Sequence, residues 1–282
     1  ISGIYDELLR SIASIPEEFL LLLRGRIKDA WQMANATFLL VLLCGILTSI
    51  LTLARLITYL LEYHPIPVWS FFFGLILVST YMVGREIIRW NWSRAVSFLL
   101  GLAFAYWITV AAPMQWGSDL PTLFLAGAIA ICAMILPGIS GSFILLLLGL
   151  YSVVLGAVKD LDLLVMAVFA SGCLVGILSF ARLLSWLLSR WRDLSLAFLV
   201  GLMLGSLNKV WPWKETLSWR IDSKGEQVPL LQSNLLPGHF AEISGQDPQL
   251  LLAVVLAIGG IALVLGLEWL AGRQVLDTGR TE

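Results

Sequence analysis

The stretch "ILPGISGSFILLLLGLY", residues 135–151, decides the fold, because it sets Pro137, Gly138 and Gly141 inside an apolar run that otherwise reads as one membrane helix. Proline has no backbone donor, and glycine permits angles and close approaches that other residues resist. The apolar region 121–156 therefore reads as two arms. Residues 121–136 enter, "PGIS" turns, and 139–156 return, each arm about 16 to 18 residues at 1.5 Å per residue. Such a segment is a re-entrant hairpin and crosses nothing.

The surroundings say that lipid is the solvent. The chain has 282 residues, 59% hydrophobic and 13% charged, with a mean hydropathy of +0.89, whereas soluble domains are roughly 45–50% apolar and about 25% charged. A net charge of -1 with scattered Lys and Arg leaves no basic stripe for nucleic acid. Cys44, Cys132 and Cys173 lie in apolar stretches without the paired spacing of a disulfide frame or zinc site. His64 and His239 have no acidic or cysteine partner nearby, so no metal and no cofactor is expected. The chain opens on Ile1 rather than Met, and the expectation is that its natural beginning lies upstream.

A spanning helix needs about 20 mostly apolar residues, and six stretches qualify: 37–61, 67–84, 95–112, 163–188, 194–210 and 249–271. Arg24, Arg26 and Lys28 precede the first. Arg85, Arg89 and Arg94 lie between the second and third, Arg190 and Arg192 between the fourth and fifth, and Arg273 follows the sixth. With six spans and a hairpin that does not cross, all of these fall on one side. The loops at 61–69 and 113–121 have no Lys or Arg. The positive-inside rule then puts both ends of the numbered chain in the cytoplasm. Lys159, Lys209, Lys214, Arg220 and Lys224 go against the trend, the last four at or in the long external loop 211–248, where the rule is weaker.

The chain also repeats itself. "LARLITYLLE" at 53–62 matches "FARLLSWLLS" at 180–189, with Arg55 and Arg182 127 positions apart (182 − 55). The same offset carries Gly45 onto Gly172, Gly74 onto Gly201 and Ser79 onto Ser206, and a second match sets Gly3 and Tyr5 against Gly149 and Tyr151. Residues 1–112 then form a first repeat whose hairpin is partly missing, and 113–282 a second, each a re-entrant helical hairpin plus three transmembrane helices. Arg55 lies near the external end of its helix and Arg182 near the cytoplasmic end of its own, so the repeats are inverted. The expected fold is an all-α integral membrane protein with inverted repeats, a frequent plan among secondary transporters.

A helix that starts after "PG" leaves the N-H groups of about Ile139 to Ser142 free, and Ser140 and Ser142 add hydroxyls. Free donors at the positive end of a helix dipole suit a phosphate or carboxylate, although a simple kink satisfied by neighbouring helices fits the same residues. Gly138, Ile139, Ser140, Gly141 and Ser142 are thus the candidate anion site, with Arg55 and Arg182 as one headgroup arginine at each opening and the repeat-paired Ser79 and Ser206 completing the set. Snorkelling is the other account of the arginines. Glu268 is expected to pair with Arg182, and Trp211, Trp213 and Trp219 to form an interfacial belt.

With Pro137, Gly138, Ser140, Gly141, Gly149 and Tyr151 as one complete "PGxSGx...GxY" element and Gly3 and Tyr5 as the end of another, the chain resembles the PopT-type polyprenyl-phosphate transporters. The likeness extends over nearly the whole chain, including "GLMLGSLNKVWPW". It implies a non-enzymatic flippase of the bacterial cytoplasmic membrane that recycles undecaprenyl phosphate from the outer to the inner leaflet, with the lipid tail lying in the bilayer. An ion-coupled carrier or channel for small anions remains an alternative, as does a membrane lipid phosphatase, for which "PGISGSF" lacks the paired histidines. Asp6, Glu7, Glu86 and Glu268 are the candidate groups for a coupling proton or sodium ion.

Overall fold

A computed structural model describes residues 7–9, 11–12, 31, 35–221 and 227–278, with the side chains of all of these except 50, 54, 55, 220, 221, 227, 228, 230 and 271–278. The order of elements is α1 (Ala36–Tyr63), α2 (Pro65–Gly84), α3 (Trp92–Val110), α4 (Leu120–Ile135), α5 (Gly141–Leu147), α6 (Tyr151–Lys159), α7 (Leu163–Arg190) and α8 (Arg192–Ser206). A 3-10 turn (Leu207–Val210), β1 (Lys214–Ile221), β2 (Gln227–Asn234), α9 (Pro237–Ser244) and α10 (Leu250–Thr278) follow. Among the described residues six helices are long and apolar enough to cross a membrane, and they coincide with the six expected stretches. Two features depart from the expectation. The loop 211–248 contains a two-stranded sheet, β1 with β2, followed by α9. The returning arm 139–156 is not one helix but α5 and α6, bent by 111° across Leu148–Leu150.

The chain forms two compact units, one of residues 1–56, 110–195 and 221–226, the other of 57–109, 196–220 and 227–282. In the first, α4 lies on α7. Glycines make that approach possible: a Cβ on Gly127 would run into the Phe169 carbonyl, one on Gly172 into the Phe124 carbonyl, and one on Gly176 would sit 2.7 Å from the Ala128 backbone. Without a hydrophobic drive between helices in lipid, such close backbone packing is what holds them. Leu9, Ala181 and Leu184 form a small core there, with Ile135 and Leu188 against it.

The second unit contains two helix pairs. In α2 with α10, Gly74 faces the Ala257 carbonyl and Gly260 faces that of Phe71; in α8 with α3, Gly201 faces Phe98 and Gly101 faces Phe198. Gly74 and Phe71 lie 127 positions (201 − 74) before Gly201 and Phe198, and Gly101 and Phe98 lie 159 positions (260 − 101) before Gly260 and Ala257. One pair thus reproduces the other contact for contact. The sequence offset reappears in the packing. Trp213, Ile66 and Ala253 are buried together at the end of α2 and α10.

Candidate functional site

The break after α4 has a definite geometry. Leu136 leaves the helix in extended backbone and its N-H donates to the Ala133 carbonyl. Gly138 then takes φ +92°, a left-handed angle that favours glycine. The N-H of Ile139 donates to Leu136 O at 3.4 Å, so this donor, expected to be free, is spent weakly inside the turn. Ser140 is the N-cap residue of α5, but its side chain makes no capping bond. Its Oγ lies 2.9 Å from the Ser142 Oγ instead, and both residues are exposed. Gly141 and Ser142 are first-turn positions, whose N-H groups have no intrahelical acceptor. Gly141 itself is buried, with an added Cβ only 2.7 Å from the Ala130 carbonyl. Glycine there brings α5 onto α4.

A second break supports the first. Gly149 has φ +75°, and a Cβ there would meet the Met114 carbonyl at 2.5 Å. The segment before α4 crosses this bend: Met114 N-H donates to Leu147 O at 2.6 Å and Trp116 N-H to Leu148 O at 3.0 Å. Nothing in the apolar run "FILLLLGLY" announces this bridge, since its donors come from backbone and its acceptors from helix-end carbonyls. Asp119, N-cap of α4, accepts from the hydroxyl and N-H of Thr122, and those bonds hold its carboxyl below the usual range.

Of the other expected site residues, Arg182 is exposed on α7 between Ala181 and Leu184, which pack near Ile135 at the end of α4, so it shares the first unit with the break. Arg55 lies on α1, and its side chain falls outside the described residues, as do Gly3 and Tyr5. Ser79 on α2 is half-buried and belongs to the second unit. Ser206 belongs there too. It is 3% exposed and gives its hydroxyl proton to the Met203 carbonyl at 2.7 Å, which leaves it no donor for a ligand.

One expected ion pair changes partner, and the tryptophans and Lys214 show contacts of their own. Glu268 meets Arg85 of α2, Oε1 to Nη2 at 2.7 Å, because α10 packs on α2. The tryptophans after α8 are structural: the indole N-H of Trp211 donates to Leu235 O at 2.8 Å, and that of Trp213, 7% exposed, to Pro248 O at 2.9 Å. Trp219 remains exposed. Lys214, noted only as an exception to the charge rule, has its Nζ 4.5 Å from the centre of the Trp69 ring and donating to Lys209 O at 2.6 Å. Burial, with the Lys209 charge nearby, lowers its pKa to about 7. Among the described residues no group of His, Cys, Asp and Glu could hold a metal ion.

Six apolar spanning helices, glycine-mediated backbone packing and a polar break inside an apolar hairpin define a multi-pass α-helical membrane protein. The chain belongs to the family described as undecaprenyl phosphate translocase-like, whose model matches residues 1–228. It is 54% identical over 269 residues to a polyprenyl-phosphate transporter of Vibrio cholerae serotype O1, covering 95% of this chain and 87% of that one. It is 28% identical over 194 residues to a polyprenyl-phosphate transporter of Staphylococcus aureus, covering 62% of this chain and 69% of that one. No solved structure gives a significant match.

Proposed function

We propose that this protein is a flippase that returns undecaprenyl phosphate from the outer to the inner leaflet of the bacterial cytoplasmic membrane, with both ends of the numbered chain in the cytoplasm. The observation that carries the reading is the "PGISGS" break: two exposed serine hydroxyls 2.9 Å apart beside first-turn backbone donors, in a chain 54% identical to a named polyprenyl-phosphate transporter. A phosphate accepts from hydroxyl and N-H donors, and such charge-assisted bonds are about twice as strong as neutral ones. Donors in lipid are costly unless something polar fills them. The sites in this reading are the backbone from Ser140 to Ser142, the two hydroxyls, and Arg182, with Arg55 serving the other opening.

Inverted repeats, each a re-entrant hairpin with three spans, would let the headgroup face each side in turn, since exchanging the conformations of the two halves reverses access. The recurrence of the α2 and α10 contacts in α8 and α3 supports the repeat. A proton or sodium ion is the coupling partner in this reading. The test is transport of labelled undecaprenyl phosphate between leaflets of reconstituted vesicles, beside uptake of inorganic phosphate. The Ser140→Ala/Ser142→Ala variant is expected to lower lipid affinity about tenfold, from a loss of about 1 to 2 kcal/mol. Inorganic phosphate flux without lipid movement would replace the reading by a small-anion carrier, and release of phosphate from the lipid would replace it by a phosphatase.

A further inference from the structure

The second unit holds a cavity of about 380 Å³ that the headgroup chemistry does not use. It lies between the two glycine-packed pairs: Phe73 of α2 lines one side, and Leu102 and Tyr106 of α3 and Leu204 of α8 line the other. Phe73, Leu102 and Tyr106 belong to the first repeat read from the sequence and Leu204 and Trp211 to the second, so both repeats wall the cavity, as both wall the substrate site in transporters of that plan. Trp211 closes one side, its ring edge-on to Phe73 with centroids 5.7 Å apart. Glycine packing ties the helices within each pair, and the cavity lies between the pairs.

The walls choose the ligand. No charged side chain is among its described lining residues, so it offers a phosphate no charge to pair with. Its two asparagines are already engaged: Asn234 Nδ2 donates to Asn208 O and Oδ1, both at 2.8 Å, and Asn208 Nδ2 to Thr109 Oγ1 at 2.8 Å. The remaining surface is aliphatic and aromatic, and its volume falls in the roughly 300–1,000 Å³ range of ligand pockets. We propose that this cavity binds a segment of the isoprenoid chain of the transported lipid, so that part of the tail travels in protein instead of lying wholly in the bilayer. An isoprenoid chain suits it better than a saturated acyl chain on two counts. Its repeated double bonds leave fewer rotors to freeze on binding, and they present flat faces to the rings of Phe73, Tyr106 and Trp211.

The inference rests on the lipid substrate proposed above, and the test keeps the two apart. Binding to the full chain in micelles is measured by calorimetry with four probes: geranylgeranyl phosphate, geranylgeraniol, oleyl phosphate and inorganic phosphate. Leu204→Trp fills the cavity, and Leu102→Phe does so more gently if the first variant fails to fold. Filling is expected to weaken geranylgeranyl phosphate and geranylgeraniol at least tenfold, oleyl phosphate less than threefold and inorganic phosphate not at all. Unchanged geranylgeraniol binding in a folded, filled variant overturns the proposal, as does equal loss for oleyl phosphate, which would make it a general hydrocarbon site. Geranylgeraniol binding that filling abolishes, with no binding of either phosphate-bearing chain above that of the alcohol, would uphold the cavity and sink the headgroup reading.

Discussion

Helices α1 and α7 are the same length, 28 residues each, and start 127 positions apart (163 − 36), yet they are buried very differently. On α7, Gly172 presses on the Phe124 carbonyl of α4, and Gly176, Ala181 and Leu184 are buried with it. On α1 no described side chain is buried, and among the described residues nothing lies within 4 Å of where a Cβ of Gly45 would stand. Repetition in sequence carries over the length and register of a helix, whereas burial belongs to whatever lies against it. In the second unit the mates α2 and α8 meet their neighbours through contacts that recur one for one.

The sharpest test of that contrast is a matched pair of substitutions. Gly172→Leu is expected to cost about 3 kcal/mol, because a branched side chain must displace backbone, while Gly45→Leu in this chain should change stability by less than about 0.5 kcal/mol. Melting temperatures in one detergent decide it, and equal losses would show that α1 is covered as α7 is. Next in size is a comparison within the hairpin. Gly149→Ala should cost about 1–2 kcal/mol for its left-handed angle, more as it crowds Met114. Gly156→Ala, in α6 with nothing within 4 Å, should gain up to about 1 kcal/mol of helix propensity. Should both alanines be tolerated alike in thermal melts, the bend at Leu148–Leu150 is not fixed by Gly149.

Smaller effects arise where the mated helix ends differ in sequence. Lys214 has a folded pKa of about 7, below its unfolded value. The unfolded chain therefore binds more protons between about pH 7 and 10.4, and stability should rise with pH over that window. Lys214→Met is expected to flatten the slope, read as hydrogen exchange of the β1 and β2 amides at pH 6.5 and 9. A slope that survives in the variant places the titrating group elsewhere. At the end of α2, Arg85 and Glu268 pair with side chains 55% and 34% exposed. Arg85→Ala should cost no more than about 1 kcal/mol, and a double-mutant cycle with Glu268→Gln that gives 3 kcal/mol would mean the pair is shielded from solvent.

Much of the fold was legible because length and hydropathy alone mark a spanning helix, and because Pro137 and Gly138 both forbid a continuous one. Gly74 and Gly201 were visible as repeat mates, though not as backbone contacts, since a lone glycine in a membrane helix does not name its partner. The bend at Gly149 was missed: the glycine takes φ +75° and closes α5, its N-H on Leu146 O and that of Leu150 on Leu145 O, a helix end that glycine after the last turn can signal, while the bridge from Met114 leaves no trace in "LLLLGLY". Glu268 was assigned to Arg182 by helix face, which fails when α10 docks on α2. Of the candidate site, Ser140 and Ser142 lie together in the break, while Ile139 spends its donor there and Ser206 spends its own inside α8. The asparagine pair of the cavity escaped because Asn208 and Asn234 are far apart in sequence and meet only when β2 returns to the end of α8.

The hydrogen bonds from Met114 and Trp116 to Leu147 and Leu148 bear on how this protein is made. The donors leave the ribosome before α4, and the acceptors only after α4 and α5 are both complete. Until then the N-H groups of Met114 and Trp116 have no bend to bridge. The bridge that braces the bend can therefore close only once both arms have been made, so the last part of this segment to be synthesised fixes the segment that came first.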